Sequence, residues 1–423
     1  MSSYVIEGGR RLLGECEVQG AKNSALPILA ATLLCDGKCS VHNCPDILDV
    51  GATCDILRHL GCTAERNGHT VSVDSQGASG FEIPEPLMRE MRSSVIFLGA
   101  ILARNGRVRL STPGGCEIGL RPIDLHLDAM KKMGAKISEE YGHIECSAHD
   151  GLHGTNITLS FPSVGATENI MIAGSTAKGI TTVVNAAREP EISDLADFLN
   201  CCGARISGAG QGTLTIEGVK KLSGCEHTVI PDRIAAATYM AAAAATGGHV
   251  RIDNIIPAHL GPVIDLFEEA GCRITTDCKS VTVAAPKLLG SVKMIRTMPY
   301  PGFPTDIHSP IAAMLTKAKG TSVIIETIFE NRFKYTGELV RFGAKLRVDG
   351  RMAVIEGVPV LHGARVITPD LRGGAALMIA GLAAEGETVI TDIKHIERGY
   401  ESPEKTISGL SGLMRRIDND GSE

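Results

Sequence analysis

A chain of 423 residues is too long for one ordinary hydrophobic core, so two or three domains are expected. Hydrophobic residues make up 43% and charged residues 21%, a globular balance that excludes a disordered polypeptide. The net charge of −6 argues against a general nucleic-acid-binding surface, though a few clustered arginines would hardly move that total.

The first residues, MSSYVIEGGRRLLG, lack a long apolar core and do not read as a signal peptide. They form a strand-rich lead-in (YVIEGG, GECEVQG). The most apolar run, 234–246, is far shorter than the roughly 20 residues of a membrane span. The thirteen cysteines are odd in number and scattered, with no repeated CxxC followed by His. Reduced thiols in a cytoplasmic protein are expected, with no structural zinc, and the sequence signals no other metal and no organic cofactor.

Beyond the lead-in the chain repeats. An Ala/Leu-rich helix, a Gly and a β-rich strand recur six times, from ALPILAATLLCDGKCSV to AALMIAGLAAEGETVIT. The glycines are Gly37, Gly106, Gly179, Gly248, Gly320 and Gly386, spaced by 69, 73, 69, 72 and 66 residues. A second helix in each copy ends at Gly61, Gly134, Gly203, Gly271 or Gly343, and an alternating strand follows. The sixth copy, LSGLMRRI, lacks that signature. Six units predict an α/β protein of two lobes with three units each, divided near 229–231.

Fourteen or fifteen residues before the first set of glycines stand Lys22, Arg92, Gly165, Arg233, Asp306 and Arg372. These mark the helix starts, and five of the six are charged. Unpaired N–H groups and the helix dipole favour anions there, so cations in these places are locally unfavourable. An anionic ligand would neutralise both. The second helices begin among further charges: Arg121-Pro122-Ile123-Asp124, Arg188 to Glu191, Glu330 to Arg332, and Glu397-Arg398. The stretch STPGGCEIGLRPID, 111–124, reads as a mobile loop that presents Cys116 near Arg121, where a thiol would be accessible and of lowered pKa. Most other cysteines fall in helix or strand patterns and read as buried small hydrophobes.

Ten segments in order carry a resemblance: GAKNS (20–24), RSS (92–94), PGGCEIGLRPIDLHL (113–127), PSVGATENIM (162–171), NAAREPEI (185–192), PDR (231–233), FPTD (303–306), ETIFENRF (326–333), DLR (370–372) and HIERGYE (395–401). Through them the chain resembles, end to end, the UDP-N-acetylglucosamine 1-carboxyvinyltransferases, enolpyruvyl transferases of the first committed step of peptidoglycan precursor synthesis. The resemblance implies two inside-out α/β barrels of three sheet-and-helix units, one of 22–229 and a discontinuous one of 1–21 plus 230–423. It implies phosphoenolpyruvate and UDP-N-acetylglucosamine as substrates, with no obligatory protein partner, no nucleic acid and no membrane.

By the same resemblance, Lys22, Arg121 and Arg398 would hold the donor phosphate, and Arg332 and Arg372 its carboxylate, with Arg92 in support. Guanidinium forks suit such a substrate. Asn23 and Asp306 would contact the amino sugar. The stretch Arg121, Pro122, Ile123, Asp124 and Leu125 would receive the uracil, Ser163, Val164 and Gly165 the diphosphate, and Ile328 the sugar-nucleotide side. Asp306 is the implied general base, and Cys116 the implied acid at C3 and site of fosfomycin attack. Lys22 and Arg398 complete the implied catalytic set. Phe161-Pro162 departs from the family, where some members carry a Lys before SVGAT. Rival readings are a 3-phosphoshikimate 1-carboxyvinyltransferase and a catalytically silent UDP-sugar-binding regulatory paralogue.

Overall fold

The computed structural model describes residues 2–111 and 123–418. They form two compact units, which the chain joins at 19–20 and again at 230–231. One unit holds 2–19 and 231–418, and the other holds 20–111 and 123–230.

Each unit is built inside out, with helices at the centre and sheets outside. The six inner helices are Lys22–Ala31, Phe97–Asn105, Val164–Gly174, Arg233–Ala245, His308–Leu315 and Leu371–Ala383. The fourth and fifth are buried at every residue, and the sixth at all but Leu371. A helix apolar on all sides belongs in a core rather than on a surface. The fourth, fifth and sixth pack against one another, as do the first with the second and the second with the third. Small residues permit the close approach: a Cβ on Gly99 would lie 2.5 Å from the Asn169 carbonyl oxygen of the neighbouring inner helix.

Among the described residues, six four-stranded sheets share one plan. A short strand runs parallel to the strand after the inner helix, and two antiparallel strands complete the sheet. In the third copy these are Asn156–Thr158, Ile180–Val184, Thr213–Glu217 and Arg205–Ser207. Alternating burial, such as eBeBe over Thr213–Glu217, turns one face of each strand inward.

Three strands are borrowed over long sequence distances. Ser3–Glu7 inserts between Glu387–Thr391 and Leu413–Ile417, and so completes the sixth sheet from the N-terminus. Leu13–Glu17, which leads into the first inner helix, pairs instead with His249–Asp253 of the fourth copy. Reciprocally, Glu226–Thr228, which leads into the fourth inner helix, pairs with Lys38–His42 of the first. This exchange makes the chain pass twice between the units. Asp194 fixes one crossing point by accepting from the Ser24 hydroxyl and from the Ile230 N–H, and lies 2.9 Å from His227 Nε2.

The glycine expectation is corrected: only Gly106 caps its inner helix, whereas Gly37, Gly179, Gly320 and Gly386, all at positive φ, lie at least three residues beyond theirs and immediately precede the next strand. At the fourth copy the left-handed residue is Gly247 (φ 64°), whereas Gly248 is needed because a Cβ there would meet the Leu12 carbonyl oxygen at 2.4 Å. The outer helices end as expected: Gly61 donates to the Arg58 carbonyl and Cys62 to that of Leu57, a Schellman pair. The sixth copy keeps this geometry despite its altered sequence. Ser411 adopts φ 65° and donates to Ser408, while Gly412 donates to Ile407. Ser411→Gly removes the strain of a side chain in the left-handed region. It is predicted to stabilise the C-terminal unit by about 0.5–1 kcal/mol in urea denaturation. An unchanged or lowered midpoint contradicts this.

Candidate active site

The charged helix starts lie where the sequence places them. Lys22 and Arg233 are first residues of their helices, Arg372 and Gly165 are second, and Arg92 and Asp306 lie in single 3₁₀ turns that lead into theirs. The Arg92 side chain, Cys116, Arg121 and Pro122 lie outside the described residues.

The N-terminal unit supplies Lys22 with its own counter-charge. Lys22 Nζ lies 2.7 Å from the Asp49 carboxylate, which is 1% exposed. Asn23 follows in the first turn, half-buried. On the third inner helix Ser163 is the cap, accepting from the Ala166 N–H, and Val164 and Gly165 begin the first turn. Gly165 is open-sided for a reason: a Cβ there would come within 3.0 Å of the His126 ring. His126 follows Asp124 and Leu125 in the outer helix Asp124–Lys132, whose cap is Ile123.

His126 is therefore the spacer between the 123–125 stretch and Gly165. Burial pushes its pKa down to about 4, against an upward pull from Asp124, so the ring is neutral at neutral pH. Asn169 holds the arrangement: its Oδ1 accepts from the Gly99 N–H at 2.7 Å, and its Nδ2 lies 2.9 Å from His126 Nδ1 and donates to the Val95 carbonyl at 3.1 Å. Neither His126 nor Asn169 stands out in sequence, because each acts through contacts from remote segments.

Beside Asn169, Glu168 is buried, and burial together with Glu191 and Glu189 pushes its carboxyl up to about 8. A raised carboxyl contributes stability that is full below its unfolded value of 4.5 and is lost as pH rises through 8. Glu168→Gln should therefore gain stability relative to the parent between pH 5 and pH 8, read by urea midpoints at both. A difference independent of pH contradicts the assignment.

In the C-terminal unit the site centres on Asp306. Its Oδ1 accepts from Arg332 at 2.6 Å, and its Oδ2 from Nε and Nη2 of Arg372 at 3.3 and 3.2 Å. Both arginines are nearly inaccessible, at 3% and 2%, and this carboxylate is the counter-charge they share. Arg372 also donates to the Tyr400 hydroxyl at 3.1 Å, which lies 2.9 Å from that of Thr238. The cap Asp370 accepts from the N–H groups of Arg372 and Gly373.

Buried Glu326 orders the adjoining loop. It accepts from the N–H groups of Ile328 and Phe329 and from the Thr305 hydroxyl, tying Ile328 to the turn that carries Asp306. His308 beside it is kept neutral by burial and by Arg332. Two helix starts differ from expectation here: Glu330 to Arg332 precede the outer helix Tyr335–Arg341 rather than begin it. Glu397-Arg398 ends a single-turn helix, Lys394–Glu397, and the outer helix begins at Pro403. Half-buried Arg398 instead lies two residues before Tyr400, the partner of Arg372. Arg233 stacks within its own unit, its guanidinium carbon 5.6 Å from the Tyr300 ring centroid.

A model of the EPSP synthase (3-phosphoshikimate 1-carboxyvinyltransferase) family matches residues 6–407. The chain belongs to that family. It is 52% identical over 417 residues to UDP-N-acetylglucosamine 1-carboxyvinyltransferase 2 of Caldanaerobacter subterraneus subsp. tengcongensis, covering 99% of this chain and 100% of that one. It is 50% identical to UDP-N-acetylglucosamine 1-carboxyvinyltransferase 1 of Symbiobacterium thermophilum, covering 98% and 95%. The enolpyruvyl transferase NikO from Streptomyces tendae superposes with a TM-score of 0.89 at 26% identity, covering 98% and 99%. EPSP synthase from Acinetobacter baumannii, at 18% identity and a TM-score of 0.74, shares the fold. The inside-out α/β architecture of both units is that of these enzymes. No helix among the described residues is long and apolar enough to cross a membrane.

Replacing Asn169 by Ala leaves the buried Gly99 N–H without its partner and frees His126. A loss of about 2–3 kcal/mol in urea denaturation is expected for the N-terminal unit. A loss below about 0.5 kcal/mol would show that water or a shifted backbone satisfies these groups.

Proposed function

We propose that the chain transfers the enolpyruvyl group of phosphoenolpyruvate to the 3′-hydroxyl of UDP-N-acetylglucosamine with release of phosphate, the first committed step of peptidoglycan precursor synthesis, in the cytoplasm. The observation that carries this reading is the match to enzymes of that name at about half identity over essentially their full length. The shikimate-type alternative draws its structural likeness from a chain only 18% identical. Retention of Cys116, Asp306 and every expected arginine weighs against a silent paralogue.

The hydroxyl oxygen attacks C2 of phosphoenolpyruvate while a proton is added at C3, giving a tetrahedral adduct. Departure of phosphate from C2, with loss of a C3 proton, restores the double bond on the transferred group. Asp306 is the base that receives the hydroxyl proton. Its pairing with Arg332 and Arg372 supports a coupling between donor binding and that role. As the donor carboxylate takes over guanidinium N–H groups, an Asp306 oxygen becomes available to the hydroxyl.

Lys22, Arg121 and Arg398 take the phosphate, with Arg92 in support, and Asp49 orients Lys22. Cys116 serves as the acid at C3 and is the thiol that fosfomycin alkylates. Asn23 meets the amino sugar. Ser163, Val164 and Gly165 offer helix-start N–H groups to the diphosphate, which fits the absence of a Lys at Phe161-Pro162. The 121–125 stretch receives the uracil, and Ile328 lies on the sugar-nucleotide side.

Phosphate release from phosphoenolpyruvate is expected with UDP-N-acetylglucosamine and not with shikimate 3-phosphate, and fosfomycin should abolish it. Turnover of shikimate 3-phosphate alone would overturn the choice of acceptor. Tight UDP-sugar binding without any phosphate release would overturn the enzyme reading.

A further inference from the structure

Most buried cysteines of this chain are what burial predicts. The thiols of Cys44, Cys146 and Cys272 are each pushed up to about 12, chiefly by desolvation, and these residues act as small hydrophobes. One group in the N-terminal unit is different. The sulfurs of Cys35, Cys39 and Cys202 all lie within 4.8 Å of one another, and all three residues are buried. The Cys225 sulfur is 3.3 Å from that of Cys202.

These thiols come from three segments that the fold locks together. Cys35 and Cys39 flank a reverse turn at Gly37 (φ 105°). The segment from Leu222 onward runs parallel to it, with Leu222 opposite Cys35 and Glu226 opposite Ser40. Gly224 allows the contact, since a Cβ there would meet the Lys38 carbonyl oxygen at 2.1 Å. Ser40 donates to the Cys225 carbonyl, which seats Cys225 beside Cys39. Cys202 caps the C-terminus of the outer helix Pro190–Cys201, and its carbonyl accepts from the Ser223 N–H at 2.8 Å.

We propose that Cys35, Cys39, Cys202 and Cys225 form a structural zinc site. Four thiolates at about 2.3 Å from Zn²⁺ stand about 3.8 Å apart in a tetrahedron, and the three sulfurs, all within 4.8 Å of one another, need only small side-chain shifts to reach it. Cys225 reaches the fourth position by turning its half-buried side chain away from Cys202. Binding forms four Zn–S bonds, sends four thiol protons to solvent and changes no oxidation state. The ion staples the first sheet to the end of the third copy, just before the chain leaves this unit at 230–231. Exposed Cys201 takes no part, its thiol lying 3.7 Å from the Glu226 carbonyl oxygen.

The test is metal analysis of the full chain, purified reduced and without chelator. About one zinc per chain is expected, released in step with titration of four thiols by a mercurial. Replacement by Co²⁺ should give the absorption of tetrahedral cobalt with thiolate charge transfer. Cys201→Ser should keep the metal, Cys35→Ser with Cys39→Ser should lose it, and Cys225→Ser should hold it at least tenfold more weakly. The parent protein's own metal content and cobalt spectrum stand even if a variant fails to fold. Less than about a tenth of an equivalent of zinc with no cobalt spectrum overturns the proposal. So does a Cys202–Cys225 disulfide in the reduced protein.

Discussion

Six helices with almost no face left for solvent impose the main constraint on this molecule. Their sides are filled mainly with Ala, Leu, Ile, Met and Gly, with a few hydrogen-bonded polar groups such as Asn169 and Thr238. Charged groups therefore gather at or near their first turns, while Ile328, Arg332 and Arg398 come from segments outside these helices. Cations at such positions oppose the helix dipole and are nearly buried, and the protein supplies the compensation itself. Asp49 serves Lys22, and Asp306 serves both Arg332 and Arg372. Each unit thus holds its cations against an internal carboxylate before any anion arrives, and the Asp306 group keeps a net positive charge.

Supporting residues set how firmly these groups are held. In the N-terminal unit Asn169 and His126 fix the spacing between the 123–125 stretch and the start of the third inner helix. In the C-terminal unit Glu326 ties the loop with Ile328 to the Asp306 turn, and Tyr400 ties Arg372 to Thr238. Each is a satisfied polar network inside a low-dielectric surrounding, where loss of one member costs more than an exposed hydrogen bond would.

Much of this was legible in the sequence because it depends on local rules. Glycines just before the strand that follows each inner helix recur about every seventy residues, and counting back from them finds the helix starts at Lys22, Arg92, Gly165, Arg233, Asp306 and Arg372. What escaped is long-range. The exchange of Leu13–Glu17 and Glu226–Thr228 between copies leaves no mark in either strand's own pattern. Ser411 hid a helix end that the backbone preserves with a costlier residue. Asp49, Glu326, Asn169 and Tyr400 take their meaning from partners tens or hundreds of residues away. The four converging cysteines come from three segments, so no spacing rule for metal ligands applies to them.

The account turns on Asp306 alternating between its two arginines and the acceptor hydroxyl. The direct measurement is turnover and phosphoenolpyruvate affinity of Asp306→Asn, which keeps the shape and removes the basic carboxylate. Turnover should fall about 10²–10⁴-fold, while the donor binds at least as tightly because Arg332 and Arg372 lose their internal competitor. Turnover within a few-fold of the parent, or a donor affinity that collapses along with it, would contradict the assignment.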